Sequence, residues 1–176
     1  MRTEVSFTGS GGQGLILASR IVARAALLES KNVLQSQVYG AEARGGATKS
    51  EIIISDLEIH YPHIHKPDIL LVMTNEAYIK YGNVIRENGL RFIDSFMVDN
   101  IEQSSSYKTY SIPFTEIAEK QFSTKVIANM IALGYISKIS SVVSKESIIK
   151  ALNDMLSGDN LRKNIEAIEF GYSFQV

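Results

Sequence analysis

The stretch Glu4-Val-Ser-Phe-Thr-Gly-Ser-Gly-Gly-Gln-Gly-Leu-Ile-Leu-Ala18 decides the fold. Val5 and Phe7 alternate with polar neighbours, the period-two signature of a strand. Gly9 ends it. From Gln13 to Glu29 the period changes: Leu15, Ala18, Val22 and Ala25 recur at helical spacing and share one face. Ala18 and Ala25 are small enough to let that helix lie close on a sheet. A strand, a glycine turn and a helix make the opening unit of an open α/β sheet. In such sheets ligands and partner surfaces are handled beyond the carboxyl ends of the strands.

Working outward, Lys31-Asn32 resets the chain and Val33 to Gln37 reads as a short second strand. A second glycine cluster follows, Tyr39-Gly-Ala-Glu-Ala-Arg-Gly-Gly46. Thr48 to Asp56 contains Ile52-Ile53-Ile54 and is a strand rich in β-branched residues. Leu57 to Tyr61 is expected to pair back on it as a hairpin across Ser55-Asp56, ending at Pro62. Ile69 to Met73 is unbroken apolar sequence, which suits a central strand buried on both faces. Thr74-Asn75-Glu76 caps a helix expected to reach about Glu87, stopped by Asn88-Gly89. Leu90 to Asp94 and Tyr107 to Ile112 complete the strands. Helices are expected near 113–121, 124–139, 144–156 and 159–170, with Gly158 as a cap between the last two. The expectation is a single domain over 1–176: Rossmann-like, three layers (α/β/α), a mainly parallel sheet with one hairpin, and a helix-rich C-terminal third.

Composition narrows the chemistry. The 176 residues suffice for one domain with a real core, and the net charge of −1 gives no pull toward nucleic acid or an anionic membrane. No apolar run reaches the roughly 20 residues that span a bilayer, and the start Met1-Arg2-Thr3-Glu4 has no apolar signal core, so a cytoplasmic protein is expected. The absence of cysteine excludes disulfides, a thiolate nucleophile and ordinary iron–sulfur clusters, so any redox metal belongs to another subunit.

Gly9-x-Gly11-x-x-Gly14 matches the dinucleotide fingerprint, whose glycines bring backbone N–H groups against a phosphate at a helix N-terminus. The fingerprint also requires an acidic residue at the end of the second strand to hold a ribose. That strand ends near Gln35-Ser36, which weighs against NAD or FAD. A tight turn explains Gly9 and Gly14 but not Gly12 or Gln13. Together Gly12 and Gln13 suggest a surface that something approaches closely. In the second cluster, Arg44 between Gly40, Gly45 and Gly46 either presents its guanidinium to a carboxylate or phosphate, or pairs internally with Glu42. His60, His63 and His65 read as an exposed turn in preference to a metal site. Gly134 inside a helical pattern points to a close helix contact. No P-loop, nucleophile elbow or zinc-protease motif is present, and no catalytic acid–base pair can be named.

Gly9-Ser-Gly-Gly-Gln-Gly14 before an alanine-rich helix resembles the opening of the gamma subunit, or gamma domain, of 2-oxoacid:ferredoxin oxidoreductases. Tyr39 to Gly46 resembles that family's second signature, followed by the Ser50 to Asp56 segment and Pro67-Asp68. Asn129-Met-Ile-Ala-Leu-Gly134 is similar to its C-terminal helix motif. The likeness runs from about residue 4 to 155, and the loop is most like the 2-oxoglutarate branch. The resemblance implies a complex that decarboxylates a 2-oxoacid on thiamine diphosphate with Mg2+, passes electrons through iron–sulfur clusters to ferredoxin or another acceptor, and forms an acyl-CoA. It assigns those cofactors to alpha, beta and delta-type partner subunits, with none held by this chain alone and no catalytic residue or metal here. It makes Gly9, Ser10, Gly11, Gly12, Gln13, Gly14, Gly40, Glu42, Arg44, Gly45 and Gly46 candidate contacts for CoA or a partner subunit. A stand-alone nucleotide-binding protein and a purely structural docking subunit are the competing readings. Without its partner the chain is expected to form a homodimer.

Overall fold

The computed structural model describes residues 1–38 and 46–175. β1 (Arg2–Gly9) leads through the glycine turn into α1 (Leu15–Leu28) and on to β2 (Asn32–Val38). Next come β3 (Thr48–Ser55), β4 (Ile69–Val72), α2 (Asn75–Tyr81), β5 (Leu90–Asp94) and β6 (Lys108–Ile112). The C-terminal third is helical: α3 (Phe114–Phe122), α4 (Ala128–Ser140), α5 (Lys145–Met155) and α6 (Gly158–Ser173). The strands bond in the order β2-β3-β1-β4-β5-β6. β1, β4, β5 and β6 are parallel, and β3 runs antiparallel to both β1 and β2. β2 therefore points the same way as β1.

The hairpin is β2–β3, not the expected pairing of Leu57–Tyr61 with the preceding strand. The reason is that both edges of β3 are already taken, one by β1 and one by β2. Residues 57–61 form no strand and are tied to β1 where Arg2 Nη2 donates to Tyr61 O at 2.9 Å. α2 ends at Tyr81 and does not reach Glu87. Beyond it the Gly82 carbonyl accepts from Arg91 Nη1 at 2.9 Å, and Asn83 Oδ1 accepts from the same atom at 2.8 Å. These bonds draw the chain out of the helix. Gly158 does not cap α5. It is the first residue of α6, with φ of +60°.

Alternation along the strands sorts the core into two layers. Val5, Phe7, Ile52, Ile54, Ile69, Leu71 and Phe92 face α1 and the C-terminal helices. Leu70, Val72 and Ile93 face the other way, against Ala77 of α2, Ile85 and Val98. All four residues of β4 are buried, as a central strand requires. Full burial of a Leu, Ile or Phe contributes about 1.5–3 kcal/mol, so the first layer holds most of the stability.

α4 lies deep in that layer, buried from Ala128 to Ser137. It meets α6 backbone to backbone. A Cβ at Gly134 would overlap the Ile168 carbonyl, and one at Gly171 would overlap the Ile131 carbonyl. The expected helix contact at Gly134 is present, and Gly171 is its counterpart. The second face of the sheet has one short helix and a polar cluster. Glu4, nearly buried, accepts from Arg2 Nε at 2.9 Å and from Arg86 Nη2 at 3.1 Å, while Arg86 Nη1 donates to Asp68 at 2.7 Å. Burial of a carboxylate is tolerated only with such partners.

Candidate functional site

The turn Gly9–Gly14 stands at the carboxyl end of β1, beside Met73 and Thr74 at the end of β4. From here β1 connects to α1 on one face of the sheet and β4 to α2 on the other. In open α/β sheets the crevice at such a divergence is where ligands bind.

Within the turn the residues divide their work. Gln13 Oε1 accepts from Ser10 N at 2.9 Å, and Gln13 Nε2 donates to Met73 O at 3.2 Å. One side chain therefore bridges the crevice between β1 and β4. Gly9 makes room for it, since a Cβ there would overlap Gln13 Oε1. Gly14 has φ of +68° and caps α1 with its own backbone. A Cβ at Gly14 would lie 2.5 Å from Asn129 Nδ2, which donates to Gly14 O at 2.9 Å. At Gly11 and Gly12 the situation reverses: a Cβ would meet nothing within 4 Å. Gly9, Gln13 and Gly14 build the turn, and Gly11 and Gly12 are what it exposes. α1 starts with no side-chain cap and no acidic residue in its first turn, which leaves the positive end of its dipole open.

Of the second cluster, Tyr39, Gly40, Glu42, Arg44 and Gly45 lie outside the described residues, so the Glu42–Arg44 pairing does too. Gly46 is described. Two residues on, Thr48 stands in register with Gly9 and donates from Oγ1 to Gly9 O at 3.3 Å. The sheet thus brings the end of the second cluster against the start of the first. Behind them, the hydroxyls of Ser19 and Ser50 lie 2.7 Å apart and Gln35 Nε2 donates to Ser19 Oγ at 2.5 Å. This tie locks α1 onto β2 and β3.

Three features lie beyond what the sequence revealed. Asn129 is buried and reaches Gly14 across 115 residues. The sequence marks Asn129 as the start of the Asn129–Gly134 helix motif but gives no sign of its reach to Gly14. Asp94, fully buried at the end of β5, accepts from Thr115 N at 3.0 Å, Thr115 Oγ1 at 2.5 Å and Phe96 N at 3.2 Å. Burial pushes its carboxyl above the usual range, against the pull of those bonds. The turn it pins presents Phe96 and Met97 to solvent, and Lys125 Nζ stands 5.7 Å from the Phe96 ring centre, next to exposed Val126. Last, a cavity of about 540 Å3 opens beside the glycine turn, lined among others by Gly14, Leu17, Phe122, Val126, Asn129 and Lys163.

The histidines lie elsewhere. Tyr61 OH and His65 Nε2 are 3.0 Å apart, and Tyr61 and His63 meet edge to face. Among the described residues no three His, Asp or Glu side chains are placed to hold a metal ion. No helix among them is long and apolar enough to cross a membrane.

The glycine turn, the open start of α1 and the apolar side chains of Leu17, Phe122 and Val126 thus gather at one end of a mixed α/β sheet. The family model described as Pyruvate ferredoxin/flavodoxin oxidoreductase matches residues 4–174, and the chain belongs to that family. The resemblance read from the two glycine clusters is therefore borne out. The 2-oxoglutarate synthase subunit KorC of Methanocaldococcus jannaschii is 42% identical over 174 residues, spanning 98% of this chain and 93% of the relative. The keto/oxoacid ferredoxin oxidoreductase gamma subunit from Geobacter sulfurreducens PCA superposes with a TM-score of 0.85 at 38% identity, covering 97% of this chain and 96% of that one. The 2-oxoglutarate:ferredoxin oxidoreductase from Magnetococcus marinus, solved with 2-oxoglutarate, coenzyme A and succinyl-CoA, shares the fold with a TM-score of 0.87 at 22% identity. This chain covers 98% of itself but 30% of that longer polypeptide.

Proposed function

We propose that this chain is the gamma subunit of a multi-subunit 2-oxoacid:ferredoxin oxidoreductase acting on 2-oxoglutarate. In that reaction 2-oxoglutarate and CoA become succinyl-CoA and CO2, and the electron pair released passes to ferredoxin or another acceptor. The observation that carries the reading is near-full-length identity of 42% with a subunit named for 2-oxoglutarate synthase. The Magnetococcus chain, in which this fold is one part of a longer polypeptide, supports a partner seated against it.

The chain's share of the reaction is binding. Thiamine diphosphate with Mg2+ supplies the decarboxylation chemistry and belongs to the alpha and beta subunits. Iron–sulfur clusters are held by cysteine thiolates, and this sequence has no cysteine, so they belong to a delta-type subunit. What this chain offers is the open backbone of Gly11 and Gly12 and the uncapped start of α1, which suit a CoA phosphate or a partner's backbone. Arg44 is proposed as a further contact for CoA or the partner subunit. The complex works in the cytoplasm, and the isolated chain pairs with itself where the alpha subunit belongs.

Against a stand-alone dinucleotide-binding protein stands Gln13. Its side chain spans the crevice from Ser10 N to Met73 O, where a dinucleotide would lie, and leaves the Gly11 and Gly12 backbone outside it. The deciding experiment is co-expression with the neighbouring thiamine-dependent and iron–sulfur chains, followed by assay of 2-oxoglutarate-driven dye reduction with and without CoA. CoA-dependent turnover that disappears when this chain is omitted is the expected result. Sub-millimolar NAD or FAD binding by the isolated chain would overturn the reading. Light scattering on the isolated chain tests the pairing, and a monomer at high concentration would refute it.

A further inference from the structure

We infer that Asn129 is the positioning residue that holds the first glycine turn in its binding shape. What the turn binds rests on the function proposed above; the positioning role does not. Gly14 O accepts two bonds, one from Ala18 N at 3.0 Å and one from Asn129 Nδ2 at 2.9 Å. The first is the ordinary opening bond of α1. The second comes from another helix and fixes the carbonyl's direction, hence the left-handed backbone of Gly14. Asn129 is itself fixed, because its Oδ1 accepts from Met130 N at 2.8 Å and the residue is buried. With Asn129 holding the Gly14 end of the turn and Gln13 Oε1 holding Ser10 N at the other, Gly11 and Gly12 between them are the part left facing open space. The arrangement also reports on the helical layer: α4, which carries Asn129, is clamped on α6 through Gly134 and Gly171. A pre-shaped turn spares a ligand the cost of ordering it.

The test uses the full-length chain and then the complex. Asn129→Asp keeps the size and the acceptor for Met130 N but removes the donor to Gly14. Amide exchange is read at Ser10 and Ala18, the hydrogen-bonded amides flanking the turn, and at Val22 and Ala25 deeper in α1. Exchange is expected to rise about tenfold at the first pair and to stay unchanged at the second, the mark of local opening. An equal rise at all four amides, or none at Ser10 and Ala18, overturns the role. Asn129→Ser gives the same readout if the buried carboxylate prevents folding. In the assembled complex, the apparent KM for CoA is expected to rise about tenfold with kcat within about twofold; a fall in kcat at unchanged KM counts against it. Should the wild-type complex not assemble, the functional reading falls while the exchange measurements still decide the positioning role.

Discussion

Arg91 lies fully buried with its guanidinium 4.7 Å from the centre of the Tyr107 ring. Among the described residues every hydrogen-bond acceptor it has is uncharged. Nε donates to Thr109 Oγ1 at 3.1 Å, Nη1 to Gly82 O, Asn83 Oδ1 and Tyr107 OH, and Nη2 to the Glu102 carbonyl. One planar cation therefore gathers the end of α2, the 99–107 segment and β6. Arg91→Lys removes the fork and leaves carbonyls unpaired. It is expected to cost about 2–4 kcal/mol, a drop in Tm of roughly 5–12 °C by calorimetry.

Gly134 and Gly171 give a second stability prediction. Each faces a backbone carbonyl of the opposite helix, and backbone cannot rotate away as a side chain can. Gly134→Ala is expected to push α4 and α6 apart and cost about 1–3 kcal/mol in chemical denaturation. The gain in helix propensity, about 1 kcal/mol, offsets part of this. A variant as stable as the wild type would show that the helices do not meet at this distance.

Gly11 separates folding from binding. Gly11→Leu adds a side chain where no atom lies within 4 Å, so unfolding free energy is expected to stay within about 0.5 kcal/mol. The same leucine occupies the surface proposed for CoA or the alpha subunit. Assembly affinity or the apparent KM for CoA is expected to worsen at least tenfold. Unchanged assembly and unchanged KM together would remove Gly11 from the binding surface.

Asp94 sets a pH dependence. Its folded carboxyl sits above the usual range, mainly through burial, so the folded state binds its proton more readily than the unfolded state does. The contribution to stability is therefore fully present below the unfolded value of about 4 and is lost as pH rises through the folded value. Asp94→Asn removes that titration and sets an amide donor or a single acceptor against the Thr115 and Phe96 donors. A loss of about 1–3 kcal/mol near neutral pH is expected, with a flatter stability profile above pH 4 in denaturant titrations.

Much of this architecture could be read from local pattern. Val5 and Phe7 against Leu15, Ala18, Val22 and Ala25 gave the strand–turn–helix unit, and the apolar run at Ile69 gave the central strand. The misplaced hairpin shows where local pattern stops. Leu57–Tyr61 alternates well enough, but pairing depends on a free edge, and β2 had taken the one on β3. The early end of α2 has the same character, since Arg91 nine positions beyond Gly82 draws that carbonyl away. At the site, the glycines announced a turn, yet which of them are structural and which exposed depends on Gln13, Met73 and Asn129. No spacing rule joins Gly14 to a residue 115 positions away.

Gln13 has a consequence for how these two strand ends hold together. In its present state the mouth between β1 and β4 is stoppered by a single amide, and the stopper is held at both ends by main-chain atoms. Shortening that one side chain would release the Ser10 N–H and the Met73 carbonyl at once, so the turn and the end of β4 come undone together.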